Sequence, residues 1–127
     1  MDGSRGEGSD DASIGIGRGS RSGPGSITIG ENSDASGRTA VAIGYNATAT
    51  PYKAIALGAG ANADGEYSIS IGDSASARLQ SVSLGKEANA GHTQTVAIGP
   101  KAKASAAQSV AIGGDTKAEG RGSISIG

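Results

Sequence analysis

One five-residue phrase recurs nine times along the chain: a small residue, Ile or Val, another small residue, Ile or Leu, and then glycine. Its copies are Ser13–Gly17, Ser26–Gly30, Ala40–Gly44, Ala54–Gly58, Ser68–Gly72, Ser81–Gly85, Thr95–Gly99, Ser109–Gly113 and Ser123–Gly127. The closing glycines are 14 residues apart, with intervals of 13 only at Gly17–Gly30 and Gly72–Gly85. A unit this short cannot bury its own apolar face, so it must stack on copies of itself. The repeat therefore predicts a solenoid.

Large and small residues alternate inside each copy. The residues one and three before the glycine are branched and aliphatic, as in Val41 and Ile43. Alternation with a period of two predicts a β-strand that buries one face. We expect the branched residues to form the core, at Ile27, Ile29, Val41, Ile43, Ile55, Leu57, Ile69, Ile71, Val82, Leu84, Val96, Ile98, Val110 and Ile112.

A second strand is predicted three to five residues after each motif glycine, where alanine recurs. The alanines are Ala47, Ala49, Ala61, Ala63, Ala75, Ala77, Ala88, Ala90, Ala102 and Ala104, which would form the inward face of this strand. Two strands of about five residues and two turns of about two account for one period. Each repeat is thus expected to be a flattened coil of two strands, with large residues of one strand against alanines of the other.

The turn that precedes each motif strand carries its own signals. Gly37, Gly65 and Gly120 lie seven residues after a motif glycine, where a positive φ would cost little. The two 13-residue coils lose their residue in this turn, at 23–25 and 78–80. A deletion there leaves both strands in register.

The remaining face of the motif strand is built only from small residues. Its 18 positions hold Ser, Ala, Thr and one Gly, and no charged residue. A solvated hydroxyl-rich face is one explanation, and a surface on which another chain packs closely is the other. The second is favoured because a thin aliphatic core without disulfides leaves a single roll short of stabilisation. The predicted interface between chains is Ala40, Ala42, Ala54, Ala56, Ser68, Ser70, Ser81, Ser83, Ala97 and Ala111.

Composition narrows the classes of function. Eleven basic and twelve acidic residues give a net charge of -1, which offers no attraction to nucleic acid or to a membrane surface. The absence of cysteine excludes thiol catalysis and Cys-type zinc sites. We expect no cofactor and no membrane contact by this segment.

No group of residues favours catalysis. His92 is the one histidine and is predicted to be a solvated turn residue without a carboxylate in phase with it. The chain is therefore not expected to be an enzyme. The series Gln80, Gln94 and Gln108 predicts a side-chain ladder along the stack.

Two further groups of polar and aromatic residues are predicted to face solvent. Tyr45, Tyr52 and Tyr67 lie outside the core phase, so they are the aromatic candidates for contact with a partner, although covering a turn is the favoured interpretation. Glu87, Lys101 and Asp115, together with Lys103 beside Lys117, predict a charged outer face on the second strand. No specific ligand-binding residue can be assigned from the sequence.

Repeats of this form, with Ala-x-Ala and a polar turn after the glycine, resemble the head domains of trimeric autotransporter adhesins, the YadA-like heads. The resemblance covers about residues 13–127, with Ala40–Gly44, Thr95–Gly99 and Ser109–Gly113 among the strongest copies, whereas the first copy departs at Gly15. It implies an all-β fold: a left-handed parallel β-roll of 14-residue two-strand coils, assembled as a homotrimer. Residues 1–12 are interpreted as vector-derived sequence or a degenerate leading coil.

The same resemblance implies a function. The segment would belong to a fibre on the bacterial cell surface, anchored in the outer membrane through regions outside it, and would attach to host cells or extracellular matrix proteins. The alternative is a structural spacer that carries a binding domain elsewhere. A calcium-binding roll, an ice-binding roll and a carbohydrate-binding or enzymatic phage fibre are less favoured, because the acidic residues have no fixed phase, the small face is not a Thr-x-Thr array, and there is no catalytic cluster.

Overall fold

The computed structural model describes residues 12–127, which form a stack of coils. Each complete coil has two strands, except that the second side of the coil between Gly44 and Gly58 is the single bridge residue Thr48. The strands that carry the motif are β1 (Ile14–Ile16), β3 (Ile27–Ile29), β5 (Val41–Ile43), β6 (Ile55–Leu57), β8 (Ile69–Ile71), β10 (Val82–Leu84), β12 (Val96–Ile98), β14 (Val110–Ile112) and β16 (Ile124–Ile126). The shorter strands are β2 (Arg21–Ser22), β4 (Asp34–Ala35), β7 (Asn62–Ala63), β9 (Ser76–Ala77), β11 (Asn89–Ala90), β13 (Lys103–Ala104) and β15 (Lys117–Ala118). These residues contain no helix, so the all-β prediction is confirmed over the described chain.

Parallel sheets make the two flat sides of the roll. The motif strands form a nine-stranded sheet in sequence order over residues 14–126, which we call the motif sheet. The shorter strands form a five-stranded and a two-stranded sheet, and parallel bridges from Thr48 to Asp34 and to Asn62 connect them into one side. Equivalent residues pair from coil to coil, as in Val41 with Ile55. This register confirms the prediction of stacked two-strand coils.

Every coil is closed by two β-turns. The near turn follows the motif glycine, and in it the amide of Ala47 donates to the carbonyl of Gly44 at 3.1 Å. The far turn precedes the motif strand, and in it the amide of Ala40 donates to the carbonyl of Gly37 at 3.2 Å. The third residue of each turn is left-handed, as at Asn46 with φ 57° and Thr39 with φ 54°. The sharp reversal this allows brings the two strands of a coil face to face.

The left-handed residues are also hydrogen-bonded along the stack. The amide of Lys53 donates to the carbonyl of Arg38 in the preceding coil at 3.0 Å, and the amide of Gln94 donates to that of Leu79 at 2.9 Å. A left-handed conformation is unfavourable for residues other than glycine. These bonds between coils offset that cost and make the turns part of the ladder.

In the far turn, Gly37 and Gly65 are required by close packing against the next coil and not by a positive φ. The prediction of positive φ at Gly37, Gly65 and Gly120 is wrong, because the left-handed residues lie two positions later, at Thr39, Tyr67 and Gly122. A Cβ on Gly37 would overlap the carbonyl oxygen of Pro51, and one on Gly65 would overlap the amide of Leu79.

The motif glycine combines a positive φ with close packing against the backbone of the next coil. Gly58 has φ 128°, and a Cβ there would lie 2.8 Å from the carbonyl carbon of Gly72 in the next coil. The predicted site of the missing residue in the 13-residue coils is confirmed. Ser22 and Ile27 are separated by one residue fewer than Ala35 and Val41.

The inward and outward faces of the motif strands are the reverse of those predicted. The residues predicted to lie at an interface are fully buried inside a single chain: Ala40, Ala42, Ala54, Ala56, Ser68, Ser70, Ser81, Ser83, Ala97 and Ala111, all at 0% exposure. The branched residues predicted as core point outward and are half-buried or exposed: Ile27, Ile29, Val41, Ile43, Ile55, Leu57, Ile69, Ile71, Val82, Leu84, Val96, Ile98, Val110 and Ile112. Tight turns bring the two sides so close that only small side chains fill the space between them, and branched residues are excluded from it.

The inward alanines of the second strand are confirmed. Ala47, Ala49, Ala61, Ala63 and their equivalents are fully buried, so the core is a slab of alanine from one side against alanine and serine from the other. Buried hydroxyls connect its parts. Ser83 Oγ donates to the carbonyl of Ala88 across the roll at 2.8 Å, and Ser68 Oγ donates to the carbonyl of Gly65 at 2.6 Å. Ser68 and Ser83 are therefore core residues whose hydroxyls are satisfied.

Candidate functional site

The first candidate surface is a stripe of branched side chains on the outside of the motif sheet. Two rows of aliphatic residues run along the whole stack, one residue on each side of the inward small residue of every motif strand. We call the rows Ile14 to Ile124 and Ile16 to Ile126 the apolar stripe. Within the stack Ile43 is 36% exposed and Leu84 is 42% exposed. The stripe is a continuous apolar surface over residues 14–126, and monomeric proteins rarely expose a long one.

The second candidate surface is the edge formed by the far turns. Tyr52 and Tyr67 lie in successive coils of this edge with their ring centroids 5.6 Å apart at 86°, an edge-to-face contact. Lys53 Nζ lies 5.1 Å from the centre of the Tyr52 ring and 6.0 Å from that of Tyr67. Both rings remain open to solvent, at 37% and 49% exposure. Ring and cation contacts of this kind hold the aromatic side chains in place.

A ladder of glutamines continues the same edge. Gln94 Nε2 donates to Gln80 Oε1 at 3.2 Å, and Gln108 Nε2 donates to Gln94 Oε1 at 3.4 Å. The predicted ladder is therefore confirmed. We call the line of Tyr52, Lys53, Tyr67, Leu79, Gln80, Gln94 and Gln108 the Tyr–Gln edge.

The structure separates the three tyrosines. Tyr45 occupies the near turn, directly after a motif glycine, and is 54% exposed. It therefore lies on the opposite edge from Tyr52 and Tyr67. Sequence reasoning grouped the three residues because none is in the core phase, but it did not assign them to edges.

Charged residues are distributed over the other outer positions. Lys103 pairs with Lys117 in the ladder of short strands, as predicted. The placement of Glu87, Lys101 and Asp115 on the outer face of that strand is wrong, because these residues are the left-handed third residues of near turns, with φ between 59° and 61°. They project from the near-turn edge.

His92, the one histidine of the chain, lies in a far turn of the roll. The exposed His92 accepts a hydrogen bond at Nδ1 from the amide of Thr93 at 2.9 Å, and its carbonyl accepts one from Ser81 Oγ at 2.6 Å. No group of three potential metal ligands comes together within residues 12–127. Nor does that part of the chain include a helix long and apolar enough to cross a membrane.

The comparison with known families decides the identification. The family model described as the YadA head domain repeat (2 copies) matches residues 22–47, 35–61, 52–75, 79–102, 93–116 and 104–127. This chain belongs to the YadA head family. A solved structure, the collagen-binding domain of the Yersinia adhesin YadA, is similar at 30% identity with a TM-score of 0.88. The alignment covers 94% of this chain and 68% of that one.

The YadA head fold is a β-roll, which agrees with the stacked coils described above. The comparison with curated proteins returned no match. The chain is thus an adhesin-type head domain of a bacterial surface protein, in a family and fold that are in general not enzymatic.

Proposed function

We propose that this head domain assembles as a homotrimer and attaches bacteria to host cells or to extracellular matrix proteins. The observation that carries the proposal is the apolar stripe. Its branched side chains would face water along the whole motif sheet of an isolated chain, as shown by Ile43 and Leu84. Association that buries such a surface is strongly favourable, at about 25 cal/mol for each Å² of apolar area.

The proposed occupant of the stripe is a second and a third copy of the same chain. The stripe is straight and uniform, with equivalent residues in register from coil to coil, such as Ile55 with Ile69. A copy with the same coil spacing can match it over its full length. Around a threefold axis each stripe contacts both neighbours, and the assembly closes without leaving an apolar side open.

Attachment is supported by the similarity to a structure described as a collagen-binding domain. In a closed trimer, the surfaces left for a ligand are the two turn edges and the charged outer side of the short strands. One chain offers few contacts there, so the three copies would strengthen weak individual contacts through multivalency. The proposed function includes no catalysis. Other regions of the protein would hold the fibre in the outer membrane.

Ile71→Asp tests the assembly. A carboxylate on the stripe would have to be desolvated in the trimer, so light scattering should report three chains for the parent protein and mainly single chains for the variant. Ser76→Asp is the matched control, because Ser76 lies on the outer side of β9 in the same coil and should leave the trimer intact.

Adhesion is then measured for the parent and both variants on surfaces coated with collagen, fibronectin and host cells. The trimer should adhere far better than the single-chain variant. A monomeric parent protein would overturn the assembly. A folded trimer that adheres to none of the surfaces would favour the spacer function, for which the uniform hydrogen-bonded stack is equally suited.

A further inference from the structure

Tyr52 and Tyr67 form an aromatic pair on the Tyr–Gln edge. Tyr52 is the second residue of its far turn, and Tyr67 is the third residue of the next far turn. The amide of Tyr67 donates to the carbonyl of Tyr52 at 3.1 Å, which holds the two backbones side by side in adjacent coils. The exposed Glu66 takes the place of Tyr52 in that next coil, so the edge is not a continuous apolar line. The two phenol rings are thus a local pair and not part of an apolar row.

The rings of the pair can meet edge to edge after a small rotation. Their centroids are 5.6 Å apart at an interplanar angle of 86°, so the edge of one ring lies against the face of the other. Lys53 Nζ lies 5.1 Å and 6.0 Å from the two ring centres and helps to hold the rings together. Both rings are exposed, and exposed side chains change rotamer within picoseconds to nanoseconds. Rotation about the side-chain torsions can therefore bring together the ring carbons next to the two hydroxyl groups.

Two neighbouring phenol rings can be joined by oxidation. A phenol that loses one electron and one proton becomes a phenoxyl radical, whose unpaired electron is shared with the ring carbons next to the oxygen. Two such radicals combine through a carbon–carbon bond between those positions. The hydrogen on each bonded carbon then moves to the phenolic oxygen, which restores both aromatic rings. The overall change is the loss of two hydrogen atoms, which reduce one molecule of hydrogen peroxide to two molecules of water.

We propose that Tyr52 and Tyr67 are an oxidative cross-linking site, at which hydrogen peroxide acting through a haem peroxidase joins adjacent coils of one chain through dityrosine. An oxidant can reach both rings, because they are exposed on a bacterial surface protein. The two residues are 15 positions apart, so the link closes a loop of about one coil. Closing a loop restricts the unfolded chain, and the oxidised roll should therefore resist unfolding better. The inference depends on the geometry of one chain and not on the proposed trimer or its adhesion.

The test treats the purified parent protein and three variants with hydrogen peroxide and a haem peroxidase. The edge variants are Tyr52→Phe and Tyr67→Phe, in which the ring and its packing remain but no hydroxyl is left to form a phenoxyl radical. Tyr45→Phe is the control, because Tyr45 is an exposed tyrosine on the opposite edge. Fluorescence measures dityrosine, and the mass of the intact chain shows whether the link lies within one chain.

Trypsin separates the two tyrosines of the pair, because it cleaves after Lys53, which lies between them. We expect the parent protein and the control to give peptide 39–53 joined to peptide 54–78, from single chains that are lighter by two hydrogen atoms. Peptide 39–53 also contains Tyr45, so the control shows which of its tyrosines is linked. Both edge variants should lose the joined peptide. Oxidation should raise the melting temperature of the parent protein by several degrees and leave that of the edge variants unchanged.

The cross-linking site would be rejected if the oxidised parent protein contained no dityrosine, or if either edge variant gave as much of the joined peptide as the parent. Products joined only between chains would show that rings of different chains meet, and would overturn the link between coils. A linked chain with an unchanged melting temperature would overturn the proposed strengthening of the roll. A protein that forms the link but adheres to no host surface would remove the proposed function and leave this inference intact.

Discussion

Two buried serines in the core differ in whether their hydroxyl groups are hydrogen-bonded. Ser70 and Ser83 occupy the same inward row in successive coils and are both at 0% exposure. Ser83 Oγ donates a hydrogen bond across the roll, whereas Ser70 Oγ is buried without a partner in the described structure. Since a buried polar group without a partner costs about 1–3 kcal/mol, the two positions should respond oppositely to alanine.

Ser70→Ala is expected to raise the free energy of unfolding by about 1 kcal/mol, and Ser83→Ala to lower it by a similar amount. Thermal or denaturant melting of the two variants under identical conditions measures both changes. If both substitutions destabilise the protein equally, Ser70 has a hydrogen bond that its present geometry does not show.

The limit of the sequence prediction also lies at the residue scale. The alternation in Val41–Ile43 identifies a strand and separates its residues into two faces, but both faces repeat with the same period. Which face is inside depends on the separation of the two sides of the roll, and the tight turns set that separation. The inward alanines of the second strand, such as Ala61 and Ala63, were predicted correctly because that strand carries no large residues in the same phase.

At the scale of one coil, the far turn is where length can vary. The coils that end at Gly30 and Gly85 have 13 residues, because they lack the residue between the short strand and the far turn. The turn itself still closes with the usual bond, as from the amide of Ser81 to the carbonyl of Arg78 at 3.1 Å. Their strands pair in the same register as the others, for example Ile71 with Leu84. The sequence predicted this deletion site because the strand signals on both sides of it remain in phase.

Deletion of Asp64 should therefore produce another 13-residue coil and lower the melting temperature only slightly. Deletion of Ala56, in the middle of β6, would exchange the inward and outward faces of the residues beside it and should prevent cooperative folding. Circular dichroism melting compares the two proteins. An equal effect of both deletions would contradict the assignment of the far turn as the adaptable part of the coil.

At the scale of the whole molecule, stability and assembly are coupled. If the apolar stripe is buried only between chains, the folded state is favoured by mass action, and dilution should weaken it. The melting temperature of the parent protein should therefore rise with protein concentration over a dilution series. A melting temperature independent of concentration, measured across the range in which light scattering reports dissociation, would show that each roll is stable alone.

The family and the fold could both be predicted from the repeat, whereas the Tyr–Gln edge could not. The glutamine ladder is visible as a period, but the pairing of Tyr52 with Tyr67 depends on the left-handed turns that bring one ring beside the other. Tyr52 is the second residue of its far turn and Tyr67 the third of the next, so no regular period pairs them in the sequence.

The hydrogen bonds that join each turn only to the adjacent coils also have an evolutionary consequence. A duplicated coil would meet neighbours identical to those of its original and would need no compensating change elsewhere. Each duplication would lengthen the molecule by about 4.8 Å while keeping its cross-section constant. Selection can therefore adjust the length of the domain independently of the side chains on its edges, since length depends on the number of coils and each stretch of edge on the turn residues of its own coil.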